Sequence, residues 1–333
     1  MNTETQQQHR FGVHSEFGTL REVMVGRLDD FAYPRWHPNI RYLGGETAEL
    51  LKRADEPTVY VKDIVPEIWE QAHEQLENVV SAFEKDGVKV HRPRCFTEEE
   101  KEYLATLQGG HSLLYPADPV FVLGDHFIET CTRRWFRRRE TWAIRDVIKP
   151  MIDADPEARH VSIPRAQPSR DDDCGPGPFL EGGDIIILGK DLLVGHGPLT
   201  SNLAGVDWLR RYIEPFGYKV HPVELQGDYL HLLGVMCLLR EGLLMAYLPA
   251  LGNVLPDLIA DWDVIDLTLE ECLALGTVGM NLDRKRHMID ECFTRIMGEL
   301  DKRGMEPVSM PMNYLSRWGG AVRCVTLPII RDA

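Results

Sequence analysis

The sequence predicts an α/β fold, because short apolar segments typical of strands alternate along the chain with longer amphipathic segments typical of helices. Two segments, 115–128 and 179–194, repeat one pattern: an acidic residue, a short apolar strand, a glycine-containing turn and a second strand. The 333 residues are 44% hydrophobic, and no long linker rich in proline, glycine or serine divides them. We therefore expect one domain over residues 1–333, with residues 1–15 as a flexible polar tail.

The other elements are predicted from the spacing of their apolar residues and from the residues that end them. Residues 66–86 place apolar side chains near every 3.6 residues, which predicts a helix that ends at Gly87. The loop after the first strand carries aromatic and proline residues that could line a pocket. The remaining predicted elements are strands 20–26, 88–90, 219–223, 235–239 and 243–248, helices 133–152, 202–216 and 285–303, and a final apolar stretch at 321–328.

The predicted helix at 133–152 is rich in arginine. A nucleic-acid-binding patch is one interpretation, but Glu140, Asp146 and the acidic excess of the whole chain favour a solvated, ion-paired helix face. The arginines are Arg133, Arg134, Arg137, Arg138, Arg139 and Arg145.

Composition limits the classes of partner. Acidic residues outnumber basic ones 52 to 37, a formal charge of −15, which argues against a general nucleic-acid or anionic-membrane binder and suits a small cationic ligand. Seven scattered cysteines with no CxxC pair indicate a reducing cytoplasm and no zinc site. The polar N-terminus and the absence of a run of about 18 apolar residues predict neither export nor a membrane span.

Consecutive acidic residues at 171–173 suggest a calcium loop at 171–178. The loop lacks the spaced oxygen ligands and the terminal glutamate of such sites, so we predict no metal there.

Glu181, His231 and Cys324 are the candidate catalytic residues. Glu181 precedes two glycines, so a ligand can approach its carboxylate without meeting a Cβ atom. His231 stands at the entry to an apolar strand, and Cys324 follows a glycine-rich segment with Arg323 beside it. A thiol with a base and a carboxylate fits nucleophilic catalysis, in which a base or cation raises the thiolate fraction. The alternative is a strand-end acid, a structural histidine and a core cysteine, with six other cysteines competing for the role.

Five segments in order, 115–119, 179–184, 201–211, 230–232 and 319–324, resemble one family. They read YPADP, FLEGGD, SNLAGVDWLRR, LHL and GGAVRC. This set resembles the guanidino-group-modifying superfamily, which includes the arginine:glycine and inosamine-phosphate amidinotransferases, arginine deiminase and dimethylarginine hydrolase. Segments 136–145 and 201–211 are more similar to the amidinotransferases, whereas 180–184 and 324–328 are more similar to the deiminases and hydrolases.

The resemblance implies a five-bladed α/β-propeller of ββαβ units around a central channel. It also implies that Asp118 and Glu181 bind a guanidinium, with Asp184 and Arg323 as further substrate-binding residues. Cys324 would attack the central guanidino carbon, and His231 would protonate the departing amine. No metal or organic cofactor is implied.

Two departures from the family pattern bear on the substrate. The family commonly has His-x-Asp, but here His231 is followed by Leu232 and Leu233, so one carboxylate is missing. The arginine that receives the substrate carboxylate in amidinotransferases is replaced here by Pro249-Ala250.

We predict an amidinotransferase that moves an amidino group from a guanidino donor, arginine or a related compound, to an amine acceptor. Hydrolysis of the guanidino compound is the alternative, and an inactive propeller acting as a binding protein is a second one. The expected partners are small molecules, without nucleic acid or membrane, and the prediction allows for a homodimer.

Overall fold

The computed structural model describes residues 11–41, 43, 45–56, 58–106, 109–167 and 175–332. The three aspartates of the loop considered for calcium, 171–173, lie outside these residues.

The described chain contains short strands and eight α-helices in alternation, which confirms the predicted α/β class. The strands are β1 Leu20–Val25, β2 Arg27–Pro34, β3 Thr58–Tyr60, β4 Lys89–His91, β5 His111–Leu113, β6 Val120–Leu123, β7 His126–Glu129, β8 Arg159–Ser162, β9 Ile185–Leu188, β10 Asp191–His196, β11 Lys219–Glu224, β12 Met236–Arg240, β13 Leu243–Ala246, β14 Asp263–Asp266, β15 Met280–Asn281, β16 Arg286–Asp290, β17 Glu306–Met310 and β18 Thr326–Arg331. The helices are α1 Gly45–Arg53, α2 Val61–Ile64, α3 Pro66–Lys85, α4 Glu98–Ala105, α5 Thr141–Ala154, α6 Leu203–Ile213, α7 Leu269–Leu273 and α8 Thr294–Lys302.

Five three-stranded sheets share one pairing pattern. The central strand pairs antiparallel with one neighbour and parallel with the other, as in β6-β7-β8, β9-β10-β11, β12-β13-β14 and β15-β16-β17. The fifth sheet, β18-β1-β4, joins the two ends of the chain, because β18 is the antiparallel and β4 the parallel neighbour of β1. A sixth sheet, β3-β2-β5, is antiparallel throughout. The sheets are separate three-stranded units, and their arrangement as propeller blades stays a prediction.

Local sequence explains several of these elements. Helix α3 buries Ala72, Leu76, Val79 and Phe83 on one face, as its apolar spacing predicts. The predicted hairpin at 179–194 is present as β9 and β10, whose turn places Gly189 at a φ of 62°, a conformation that glycine adopts at little cost.

Three predictions about elements are wrong. Residues 286–290, expected to be helical, form the central strand β16, and the helix begins only at Thr294. The arginine-rich helix begins at Thr141, after a 3-10 turn at Trp135–Arg137. Residues 11–15, expected to belong to a flexible tail, are held in place, since Gly12, Val13 and Ser15 form bridges with residues of β18, the β6–β7 turn and β9.

The described helices include none that is long and apolar enough to cross a membrane.

Candidate active site

Cys324 lies between a 3-10 turn, Leu315–Trp318, and β18. Its main-chain nitrogen donates a hydrogen bond to the carbonyl oxygen of Ala321 (3.0 Å). Gly320 lets the ring of Tyr115 approach this segment, because a Cβ atom at position 320 would lie 2.4 Å from Tyr115 Cε1 and 3.0 Å from Cys324 Cβ. The glycines before the cysteine therefore provide the close packing that positions it.

His231 and Glu181 each precede a 3-10 turn, Leu232–Gly234 and Gly182–Asp184 respectively. The side chains meet at 2.8 Å between His231 Nε2 and Glu181 Oε2. Gly183 makes this approach possible, because a Cβ atom there would lie 2.5 Å from His231 Nδ1. The two turns thus bring a histidine and a carboxylate, 50 residues apart in sequence, into one buried pair.

Asp118 completes the group at the other ring nitrogen. Its Oδ1 lies 3.8 Å from His231 Nδ1, and its carbonyl oxygen accepts a hydrogen bond from the main-chain nitrogen of Gly182 (3.0 Å). Asp118, Glu181 and His231 are all buried. Isolated charges would be costly at this depth, so each needs a compensating partner.

Two buried arginines supply that compensation. Arg134 pairs with Glu181, and Arg137 pairs with Asp118 while donating three hydrogen bonds to Glu140 (2.8 to 3.1 Å). Arg134 is 1% and Arg137 4% exposed. The expected solvated helix face is therefore wrong for these two arginines, which neutralise the candidate site from inside the protein.

The surroundings shift the pKa values of the histidine and the glutamate in opposite directions. Burial raises the pKa of Glu181, but Arg134 and the hydrogen bond with His231 outweigh it and hold the pKa at about 2. Burial lowers the pKa of His231, but Asp118, Glu181 and Asp184 outweigh it and hold the pKa above its ordinary value. The result is a charged carboxylate beside an imidazole that is readily protonated. General acid catalysis requires such a protonated group.

The Cys324 thiol is protonated in the unliganded protein. Burial and the neighbouring Asp118 raise its pKa to about 12, against the smaller opposing effects of Arg323 and Arg137. The effect of the adjacent Arg323, which lowers the thiol pKa, is therefore smaller than the combined effect of burial and Asp118.

The four side chains Asp118, His231, Arg323 and Cys324 line one cavity with about 390 Å³ of empty volume. Leu233, Leu275 and Val278 form its apolar wall. A second cavity of about 270 Å³ shares Asp118, His231 and Cys324 and is bounded on its far side by Tyr115, Arg134, Arg137 and Trp318.

The remaining predicted site residues have different positions. Asp184 does not line either cavity; its carboxylate accepts hydrogen bonds from Thr200, from Ser201 and from the main-chain nitrogen of Leu232 (3.0 Å). Its assignment to substrate binding stays a prediction that this geometry does not favour. Arg323 lines the larger cavity, and its Nη2 lies 3.6 Å from Glu16 Oε2.

Within the described residues, Asp118, Glu181 and His231 are close enough to hold a metal ion, since their ligand atoms lie within 4.8 Å of one another. Both carboxylates already pair with arginine guanidinium groups, which a cation would have to displace. A metal ion held by all three residues is therefore not favoured.

No family model matches the chain. By sequence it is 22% identical over 352 residues to the L-arginine:L-lysine amidinotransferase of Pseudomonas savastanoi pv. phaseolicola, covering 96% of this chain and 93% of that protein. It is 24% identical over 352 residues to inosamine-phosphate amidinotransferase 1 of Streptomyces griseus, covering 96% of this chain and 97% of that protein. An uncharacterized protein of Bacillus subtilis, YkgA, is 23% identical over 325 residues, covering 97% of this chain and 96% of that protein.

Solved structures share the fold. The amidinotransferase of the saxitoxin pathway of Microseira wollei has a TM-score of 0.81 at 21% identity, covering 97% of this chain and 98% of that chain. The inosamine-phosphate amidinotransferase of Streptomyces griseus has a TM-score of 0.80 at 20% identity, covering 98% of both. A dimethylarginine hydrolase of Pseudomonas aeruginosa has a TM-score of 0.62 at 16% identity, covering 93% of this chain and 99% of that chain.

Fold and site together define a class: an α/β protein in which a half-buried cysteine, a histidine and an aspartate line one cavity. The sequence matches over nearly the whole chain support the amidinotransferase superfamily, and the solved amidinotransferase structures share its fold.

Proposed function

We propose that the protein transfers an amidino group from a guanidino donor to an amine acceptor through a covalent intermediate on Cys324. The observation that carries this proposal is the buried His231–Glu181 pair, whose histidine lines a cavity together with Asp118 and Cys324. Relatives named as amidinotransferases over almost the full chain support the same reaction.

Asp118 is the residue that holds the donor guanidinium in this proposal. Arg137 occupies its Oδ2, so Oδ1 is the atom oriented toward His231. Glu181 already accepts from Arg134, from His231 and from the main-chain nitrogen of Arg133 (2.9 Å). The role of Glu181 is therefore to position His231 and to favour its protonated form. This role differs from the direct guanidinium contact that the sequence suggested.

The bound guanidinium also activates the nucleophile. A cation placed beside Cys324 favours the thiolate and opposes the effects of burial and of Asp118, which raise the thiol pKa to about 12. The thiol proton passes to solvent water, and the thiolate sulfur attacks the central guanidino carbon.

The chemistry then proceeds in two halves. In the first, the bond between that carbon and the departing nitrogen breaks, and protonated His231 donates its proton to the amine, which leaves an amidino group on Cys324. In the second, His231 takes a proton from the acceptor amine, the amine nitrogen attacks the amidino carbon, and the carbon–sulfur bond breaks. The products are a new guanidine and the cysteine thiolate.

We infer that the five sheets with the shared pairing pattern are the five blades of a propeller. The pairing of β18 with β1, which completes the fifth sheet from both ends of the chain, supports this arrangement.

Hydrolysis is the second candidate, because Leu233 removes the expected carboxylate and because hydrolases share the fold. The two reactions differ in what reaches the amidino-cysteine. An enzyme that transfers must exclude water while it admits an amine, which the apolar wall of Leu233, Leu275 and Val278 favours.

The test is to supply arginine and other guanidino compounds with and without a panel of primary amines. We expect a new guanidine whose formation depends on the amine. Release of urea or ammonia at the same rate without amine would establish hydrolysis instead.

A further inference from the structure

Leu275 has a backbone conformation that leucine rarely adopts. Its φ is 71°, and it follows directly after Ala274, the C-cap residue of α7, where glycine is the usual residue. Its main-chain nitrogen donates to the carbonyl oxygen of Cys272 (3.0 Å), and Gly276 donates to that of Glu271 (2.8 Å). These bonds fix the left-handed turn, and a leucine there costs conformational free energy that glycine would avoid.

The turn is attached to both catalytic segments. Thr277 Oγ1 donates to the carbonyl oxygen of Leu233 (3.0 Å), two residues after His231. The main-chain nitrogen of Arg323 donates to the carbonyl oxygen of Val278 (3.2 Å), one residue before Cys324. Leu275 therefore lines the cavity from a fixed position, beside Leu233 and Val278.

The two halves of the proposed reaction place their amines at one position. His231 protonates the departing amine and deprotonates the incoming one, so both nitrogens must occupy the same place relative to the ring and to Cys324. The carbon chains attached to them then follow the same wall. Arg134 and Arg137 bound the second cavity and are already paired with Glu181 and Asp118, so we place the carbon chains along the apolar side of the larger cavity.

We propose that Leu275, together with Leu233 and Val278, selects donors and acceptors that carry an unbranched aliphatic chain next to the reacting nitrogen. The proposal rests on the proposed function and adds the substrate class: alkyl amines and alkylguanidines rather than polyhydroxylated amines. A hydroxyl group against this wall would lose its hydrogen bonds to water without a replacement.

The experiment measures kcat/KM for n-alkylguanidines from methyl to butyl, with one fixed amine acceptor. For the wild type we expect an increase of about three- to fourfold per methylene, which corresponds to about 0.8 kcal/mol for each buried CH₂ group. In Leu275→Gly the increase should fall below about twofold per methylene, because the Leu275 side chain no longer covers the alkyl chain. Leu275→Asn, which also tolerates the left-handed turn, should behave in the same way.

Asn253→Gly is the matched control, since Asn253 is the other described non-glycine residue with positive φ (60°) and lies outside both cavities. We expect this variant to keep the wild-type dependence on chain length. An unchanged dependence in both Leu275 variants, with folding verified by thermal melting, would overturn the proposal. Absence of turnover with every guanidine would overturn the proposed function as well, whereas turnover without any dependence on chain length would overturn only the role of the wall.

Discussion

Asp118 and Glu181 show how buried carboxylates remain charged. Each accepts a charge-assisted hydrogen bond from a buried arginine. Glu181 also accepts a hydrogen bond from the main-chain nitrogen of Arg133 and is hydrogen-bonded to His231. The two carboxylates differ in their remaining capacity, because Glu181 has its bonds satisfied within the protein whereas Asp118 Oδ1 lies on the cavity. Substitutions at these residues therefore test different parts of the mechanism.

Asp118→Asn should weaken catalysis with a guanidinium donor. The amide is nearly the same size as the carboxylate but lacks its charge, and a hydrogen bond to a charged group contributes about 1.5 to 3 kcal/mol. We expect kcat/KM to fall about ten- to hundredfold. Asp191→Asn is a control away from the site, since Asp191 pairs with His221. Wild-type kinetics in Asp118→Asn would show that the guanidinium binds elsewhere.

His231 should make the stability of the protein depend on pH. Its pKa is raised in the folded state, so the stabilisation is fully present below the unfolded pKa of 6.5 and is lost as the pH rises through the higher folded value. The difference in free energy of unfolding between the wild type and His231→Gln should therefore decrease from pH 6 to pH 9, by about 1.4 kcal/mol per unit of pKa shift. Urea unfolding at several pH values measures this, and a difference that grows toward pH 9 would contradict the assignment.

At the scale of elements, two 3-10 turns determine the geometry of the site. Gly182–Asp184 and Leu232–Gly234 are linked by Asp184, whose Oδ1 accepts a hydrogen bond from Leu232 (3.0 Å). The sequence indicates the first turn through its paired glycines. It does not indicate that Asp184 would be used inside the protein to hold the second turn beside the first.

Gly183→Ala should displace His231, because the added methyl group would lie within 3.0 Å of three atoms of its ring. We expect turnover to fall at least tenfold, because a small displacement of a catalytic group slows the reaction strongly. Gly298→Ala is the matched control, since it lies in α8 with no atom within 4 Å of the new methyl group. That substitution should leave activity unchanged and stabilise the fold by about 0.4 to 1 kcal/mol. Equal activities in the two variants would refute the steric argument.

Some elements could be predicted from local sequence and others could not, for physical reasons. Helix α3 and the β9–β10 hairpin have strong periodicity and clear turn residues, so local information is sufficient. Residues 286–290 form a strand against the prediction because only Met288 and Ile289 are apolar, so the segment shows no alternation that separates a strand from the helix that follows. Arg134 and Arg137 were misjudged because their partners, Glu181 and Asp118, are distant in sequence, and arginines are buried only when such partners exist.

At the scale of the whole molecule, the ends of the chain contribute to one sheet. Strand β18 pairs with β1, from Thr326 opposite Val25 onward, so the segment that carries Cys324, two residues before β18, is anchored by a strand near the other end of the described chain. No local pattern in the sequence predicts this pairing. The formal charge of −15 acts at the same scale, since it favours the approach of cationic guanidino compounds and amines.

The covalent intermediate on Cys324 is the central claim, and mass spectrometry tests it most directly. The wild type is mixed with arginine or an n-alkylguanidine without an acceptor amine, quenched in acid and digested. We predict one amidino group on the peptide that contains Cys324, its loss when a primary amine is added before the quench, and no modification in Cys324→Ala. An amidino group on the exposed Cys95 or Cys292, or turnover without any modification of Cys324, would contradict the account.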